Sequence, residues 1–293
     1  VELFKRNMTV QIGDGGAAIN VPNTFKISFS IKKLISSATA EGMVTVFNLA
    51  DQTKEFARER GKRIRVSAGY GDGDPPLLHD GDVLRVAQED DQANRKTSVF
   101  FGGRIFSVKD AVFSKSYSGS ISLRQIVLDA LPTFSLTFAE SAVNEIPGDI
   151  TLDNFSFSGR TGDVLDQLLQ PIGYQWFEKD SEILISKKGE ITSAQSGDVF
   201  VLNSGTGLVK TAVQTDRGVN ATCLLNAKLI VGGIVKIESD VVQNSSFNDY
   251  FVQKTPKNTE GFYKIIQTTH EGDNWDGTYR TMIQCVPYGG SQT

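Results

Sequence analysis

The chain has 293 residues, 39% hydrophobic and 22% charged, with 28 glycines against 8 prolines, which excludes a disordered polymer and suits about two turn-rich domains, or three small ones. Thirty Lys and Arg against 34 Asp and Glu leave a net charge of -4, so the protein as a whole is no electrostatic trap for duplex DNA. Two cysteines, Cys223 and Cys285, cannot build a disulfide framework, and the absence of an apolar leader or an apolar run of about 18 residues leads us to expect folding in a reducing cytoplasm without stable membrane binding.

In chain order, residues 8–12 and 25–31 alternate apolar and polar side chains around a glycine-rich turn at residues 13–16, and they read as antiparallel strands. Residues 44–49 alternate again, Val44 and Val46 against Thr45 and Phe47. A short charged helix follows, with Asp51 as its cap and Gly61 as the left-handed residue that ends it. Ile64, Val66 and Ala68 then alternate with Arg63, Arg65 and Ser67, giving a strand with one packed and one polar face. This strand, helix and strand suit an antiparallel barrel with a helical plug, because a parallel crossover needs a dozen or more residues. Residues 71–76, with two prolines, are a loop; residues 77–86 resume the sheet, and residues 90–95 turn it into the strand at 96–101.

The pattern changes at Ser122, which with Gln125 forms a capping box before Leu123, Ile126, Val127, Ala130 and Leu131 at helical spacing, stopped by Pro132. A second helix carries Val164, Leu165, Leu168 and Leu169, capped by Thr161 and ended near Pro171. Aromatic strands follow each helix, at residues 134–138 and 173–177, and the second turns through residues 179–181 into a hairpin. The middle of the chain is thus a small α+β domain. Residues 189–198 read as a linker, residues 219–237 as strands hinged at Gly232 and Gly233, residues 241–259 as a polar and mobile stretch, and residues 261–270 and 278–286 as a closing pair of strands. The expected fold class is mainly β with an α+β insert.

For chemistry the chain offers little. It has two histidines and two cysteines and lacks H-E-x-x-H, C-x-x-C and G-x-S-x-G, so no catalytic residue, metal site or cofactor is assigned. His79 and His270 read as turn caps beside Asp80 and Glu271. Asp72, Asp74, Asp80 and Asp82 read as solvated turn residues rather than calcium ligands, since Pro75 and Pro76 break the loop spacing. Both cysteines read as buried, inert thiols. Tyr174, Trp176 and Phe177 read as core aromatics more readily than as a stacking platform for sugars or bases.

Several stretches, taken in order, resemble the baseplate hub proteins of contractile-tailed phages, whose wider relatives include the hub part of VgrG spike proteins. They are residues 47–49 with the charged helix and residues 65–70, then 77–83, 165–169 before 173–176, 218–219 before 224–233, and 261–265 before 270–273. Phe100 to Arg104 stand where the resemblance implies an aspartate-glycine turn and a helix. The resemblance implies two tube-type antiparallel β-barrel domains, residues 1–117 and 189–293, flanking the α+β domain at 118–188. It implies a structural virion protein, not an enzyme: a homotrimeric hub in the tail baseplate, assembled in the host cytoplasm, that joins a six-fold tail tube to a three-fold central spike. Its expected partners are further copies of itself, the tube or tube-initiator protein, the spike and other baseplate proteins, with DNA only passing through the lumen. Asp51, Glu55, Arg58, Arg60, Lys62, Arg63 and Arg65 are the expected subunit or ring contact. The alternatives are a tail-associated cell-wall hydrolase and a host-surface glycan-binding module.

Overall fold

The computed structural model describes residues 5–14, 18–34, 40–91, 94–187, 199–209, 211–215, 218–238, 243–244, 261–275 and 277–288. The expected linker at 189–198 and most of the polar stretch at 241–259 lie outside the described residues, as do parts of the turns at 13–16 and 90–95. The strands are β1 Arg6–Ile12, β2 Ile19–Val21, β3 Ile27–Leu34, β4 Glu41–Phe47, β5 Arg63–Tyr70, β6 Leu77–Asp91, β7 Asn94–Gly102, β8 Val112–Ser116, β9 Ser120–Ser122, β10 Thr137–Phe138, β11 Thr151–Asp153, β12 Ser156–Arg160, β13 Tyr174–Lys179, β14 Glu182–Lys187, β15 Phe200–Leu202, β16 Val213–Thr215, β17 Gly218–Leu224, β18 Ile234–Ile237, β19 Gln243–Asn244, β20 Gly261–Asp273 and β21 Tyr279–Pro287. The α-helices are α1 Asp51–Arg58, α2 Ile105–Asp110, α3 Leu123–Ala130, α4 Glu140–Asn144 and α5 Thr161–Leu169. The protein is therefore mainly β, built on a large and chiefly antiparallel sheet.

Two units share the chain: residues 1–79, 83–101 and 195–293 form the first, and residues 80–82 with 102–194 the second. In the first, a 14-stranded sheet runs β19-β16-β17-β21-β20-β3-β4-β7-β6-β5-β1-β2, with β18 added on β20 and β15 on β18. Among the described residues no sheet closes on itself. The start and end of the chain meet where β3 pairs with β20, His270 opposite Ile31 and Glu271 opposite Ser30. A ring of contacts around Tyr279 ties them further. Its hydroxyl donates toward the Asn7 carbonyl at 2.9 Å and accepts from the Gly69 N–H at 3.1 Å, and the Tyr70 hydroxyl donates to the Tyr279 carbonyl at 3.2 Å. Arg6 lies 5.2 Å over its ring. Each such bond adds about 1 kcal/mol to the fold, but breaking one inside the core costs more.

Alternation in β3, β4 and β7 sends Ile27, Phe29, Ile31, Val44, Val46, Val99 and Phe101 into one core with Met8, Val10, Ile12, Ile64 and Val66. The two N-terminal strands read from the sequence are β1 and β3, yet they do not form a hairpin: β1 pairs with β2 and β5, and β3 with β4 and β20. The three-residue β2 between them carries too little pattern to be seen beforehand.

The second unit packs α3 and α5 over the hairpin β13–β14, burying Ile126, Val127, Leu131, Val164, Leu165 and Leu169. Ser122 caps α3, accepting from the Gln125 N–H at 3.2 Å, while the Gln125 side chain turns to Asp129 instead of completing the box. Thr161 is the first residue of α5 and not its cap; the cap position is Arg160, and the Thr161 hydroxyl pairs with that of Thr133 at 2.6 Å. Asp180 and Ser181 turn the hairpin with φ of 49° and 69°, the left-handed pair that two-residue hairpin loops need. The expected strand at 134–138 shrinks to β10, because Phe134 belongs to a 3₁₀ turn behind Pro132. Residues 100–102 end β7 and α2 begins only after Arg104, so the stretch from Phe100 to Arg104 is itself no helix.

Candidate assembly surfaces

α1 projects from the first unit on Phe56 and Ala57. Ala57 is buried, and the Phe56 ring lies between Gly13, where a Cβ would come within 2.8 Å of it, and the Lys62 ammonium at 3.8 Å from its centroid. The expected cap is displaced by one position. Ala50 is the cap residue and offers no side-chain acceptor, while Asp51 is the first helical residue and pairs with Lys54. That pairing holds the Asp51 carboxyl below its usual range. Gly61, at φ 81°, supplies the left-handed turn into β5, three residues past the helix end.

The charges of this helix and of the turn after it pair at i,i+3: Asp51 with Lys54, Glu55 with Arg58 at 2.5 Å, and Glu59 with Lys62 at 2.7 Å. Pairs of this kind contribute only a few tenths of a kcal/mol each. They fix a pattern of charge on the surface more than they hold the fold. Lys54 is only 3% exposed; its stem fills space beside the core and its ammonium reaches Gln88 at 3.3 Å. Asp51, Glu55 and Arg58 share one helix face by their spacing, and Arg60 is exposed just beyond. Arg63 and Arg65 emerge on the side of β5 opposite the buried Ile64 and Val66, meeting Asp14 at 3.4 Å and Gln11 at 3.3 Å. The seven expected contact residues thus occupy two adjoining surfaces. Lys54, Glu59 and Phe56, which the sequence reading did not include in this surface, complete the arrangement; the i,i+3 spacing of Lys54 from Asp51 and of Glu59 from Lys62 is the signal that could have found the two charges.

A second surface is the non-core face of the central strands. Ser28, Ser30 and Lys32 on β3, Met43, Thr45 and Phe47 on β4, and Lys96, Ser98 and Phe100 on β7 lie side by side by register. Glu271 and Thr269 continue the face on β20, and Arg280 and Met282 on β21. All but Thr45 are partly or fully exposed. Both signs occur on the face: Lys32, Lys96 and Arg280 stand with Glu41 and Asp273, which register places opposite Lys32 and Ser28, and with Glu271, to which Arg280 is bonded at 3.0 Å. Cations sit on the aromatics: Lys26 and Lys96 over Phe47 at 5.2 and 5.7 Å, and Arg85 over Phe100 at 4.2 Å.

The groups that carry chemistry are absorbed by the fold. His79 is buried in β6 and stacks on Phe101 with centroids 5.0 Å apart; His270 is buried in β20 with its Nδ1 at 2.9 Å from the Thr281 hydroxyl. Neither caps a turn, because both lie on the inward side of their strands. Asp72 is exposed and paired with Lys5, whereas Asp80 and Asp82 are buried, which corrects their reading as solvated turn residues. Cys223 and Cys285 are buried free thiols, and desolvation pushes both up to about 12. No group of three or more potential metal ligands occurs among the described residues. In the second unit Trp176 stacks on Phe134 at 5.2 Å and donates to Asp166 at 2.9 Å, and Tyr174 is buried with its hydroxyl on the Glu145 carbonyl at 2.7 Å. These aromatics hold helix to hairpin.

The described residues thus form a β-rich chain with ion-paired surfaces whose histidines and thiols are buried in its packing. The chain matches the family described as Baseplate hub gp41 over residues 6–257 and belongs to it. No curated protein matches the sequence. By fold the chain is similar to a tail protein of Neisseria meningitidis MC58, with a TM-score of 0.59 at 9% identity over 97% of both chains. It is also similar to the 43 kDa tail protein of prophage MuSo2 from Shewanella oneidensis, with a TM-score of 0.58 at 9% identity over 97% of this chain and 98% of that one. A third likeness is to an Escherichia coli type VI secretion component described as structurally similar to the T4 tail proteins gp27 and gp5, with a TM-score of 0.51 at 11% identity over 90% of this chain and 74% of that one. At such identities the likeness establishes the fold.

Proposed function

We propose that this chain is the homotrimeric hub of a phage tail baseplate, joining a six-fold tail tube to a three-fold central spike around the DNA passage. The observation that carries the proposal is that the first unit is assembled from two separate stretches of chain, before and after the insert, each bringing its own set of antiparallel strands and meeting at β3 and β20. Two such sets per chain become six in a closed trimer, which is how one protein can face six-fold symmetry on one side and three-fold on the other. In this reading residues 1–117 and 189–293 are the two barrel-type modules and residues 118–188 the inserted α+β module. The α1 surface with Arg60, Lys62, Arg63 and Arg65 meets the neighbouring subunit or ring. The polar face of β3, β4, β7, β20 and β21, which carries both signs of charge, lines the passage, where mixed signs let DNA slide without being held. Spike, tube and other baseplate proteins are the partners, and assembly takes place in the host cytoplasm before incorporation into the virion.

Negative-stain imaging of the purified protein at high concentration tests the proposal. Three-fold rings with a central hole are expected. Two-fold dimers or open filaments at every concentration would rule it out, because neither geometry presents six modules around an axis.

A further inference from the structure

Independently of the hub reading, the second unit contains a buried acid that its packing alone does not require. Glu178, near the tip of the β13–β14 hairpin, is 7% exposed. Its Oε1 accepts from the Ser181 N–H at 2.9 Å, and its carboxyl group also accepts from the Arg104 backbone N–H. The fit depends on Gly103, since a Cβ there would stand 2.1 Å from Glu178 Oε2. The same short segment is also held by Asp82, only 1% exposed, whose Oδ2 accepts from the Phe106 N–H at 2.9 Å and whose backbone N–H donates to the Gly103 carbonyl at 3.2 Å. Two acidic side chains from β6 and β13 therefore clamp residues 103–106, the turn that starts α2.

We propose that Glu178 is a proton-operated latch: protonated, it stays seated on Gly103 and holds the start of α2 closed, and on ionising it favours an open state in which the carboxylate reaches water.

The charged neighbours support this direction. Asp180 on the hairpin turn and Asp82 on β6 both oppose a negative charge at Glu178, and Asp80, also buried, lies two residues from Asp82 on the same strand. The cation at hand, Arg104, is directed elsewhere, with Nη1 at 3.5 Å from Asp82 and Nη2 at 3.2 Å from the Ser107 hydroxyl. Burial is the largest influence and, despite the two backbone donors, moves Glu178 up to about 7 from an ordinary 4.5. The closed state therefore binds a proton more tightly than the open one. Its advantage is full below the ordinary value, falls about tenfold per pH unit as pH rises toward 7, and levels off above.

Hydrogen exchange of the intact chain between pH 5 and 8, corrected for intrinsic rates, reads this at residues 104–110. Protection is expected to fall about tenfold per pH unit up to about pH 7 and then flatten, and in Glu178→Gln to lose that slope. Protection independent of pH in the wild type, or the same slope in Glu178→Gln, overturns the latch. Should the glutamine variant not fold, Gly103→Ala serves instead: its methyl group takes the place of Oε2, drives the carboxylate out and should flatten the same profile, whereas an unchanged slope again overturns the proposal.

Discussion

Gly42 and Phe101 sit opposite each other on β4 and β7, and the ring lies over the glycine so closely that a Cβ at position 42 would come within 1.9 Å of it. The ring cannot retreat freely, because His79 stacks on it. Gly42→Ala should therefore destabilise the first unit by about 1–3 kcal/mol through overpacking. The urea midpoint should fall with an unchanged slope, and Gly42→Ala with Phe101→Leu should recover part of the loss because the two sites couple. An unchanged midpoint in the single variant would mean that the ring has room to move. Nothing in the sequence marks this pair. A glycine within a strand hints at a close approach, but its partner lies 59 positions away. His79 was hidden for a related reason: beside Asp80 it reads as a polar turn, and only the long run of β6 and the stacked Phe101 show it buried. Alternation revealed the core residues of β3, β4 and β5 because period two is a local signal; the contacts that specialise individual residues are not local.

At the scale of elements, α1 tests whether charge on this surface serves the fold or assembly. Its pairs are exposed and formed within the helix and the turn after it, so Arg58→Glu with Arg60→Glu should change the stability of the isolated chain by no more than about 0.5 kcal/mol. The same pair of changes should abolish ring formation in the imaging experiment if this surface meets a neighbour. Rings that form as before would remove α1 from the interface while leaving the hub itself intact. Phe56→Ala is the useful contrast, since it loosens the helix from the Gly13 turn and should cost about 1–2 kcal/mol of stability through lost apolar contact. The helix, the strands around it, the α3 cap and the Asp180-Ser181 hairpin were all legible beforehand, because each has a periodic run or a turn signal of its own. The one-residue errors at Asp51 and Thr161 share a cause: both are favourable caps by residue type, but the chain turns one position earlier and uses them inside the first turn. β2, α2 and α4, three to six residues each, are held by tertiary contacts, and no window of sequence that short distinguishes them from loop.

At the scale of the whole molecule, the order of β-rich, mixed and β-rich segments was readable from composition, whereas the union of the two outer segments in one sheet was not, because strand pairing between β3 and β20 spans more than two hundred residues. That union gives the open sheet face its breadth, and the face gives the hub reading its most specific consequence. If it lines a passage, the acids Glu41, Glu271 and Asp273 among its lysines and arginines are what keep a polyanion from sticking, in a chain whose own net charge is -4. Replacing Ser28, Ser30 and Ser98 by lysine leaves the core untouched, since all three side chains lie on the non-core face. Rings of this variant should still assemble but should capture duplex DNA threaded through them, with an affinity that falls steeply between 50 and 200 mM salt as counterion release predicts, while wild-type rings show little retention at either salt. Fluorescence anisotropy of a labelled duplex, with ring integrity checked by imaging, separates the outcomes. Capture that depends on salt places the face toward the passage. Loss of rings would place it in a subunit contact, since three buried lysines cannot be accommodated there without partners. Intact rings that ignore DNA would turn the face outward, and the passage would then have to be lined by another part of the chain.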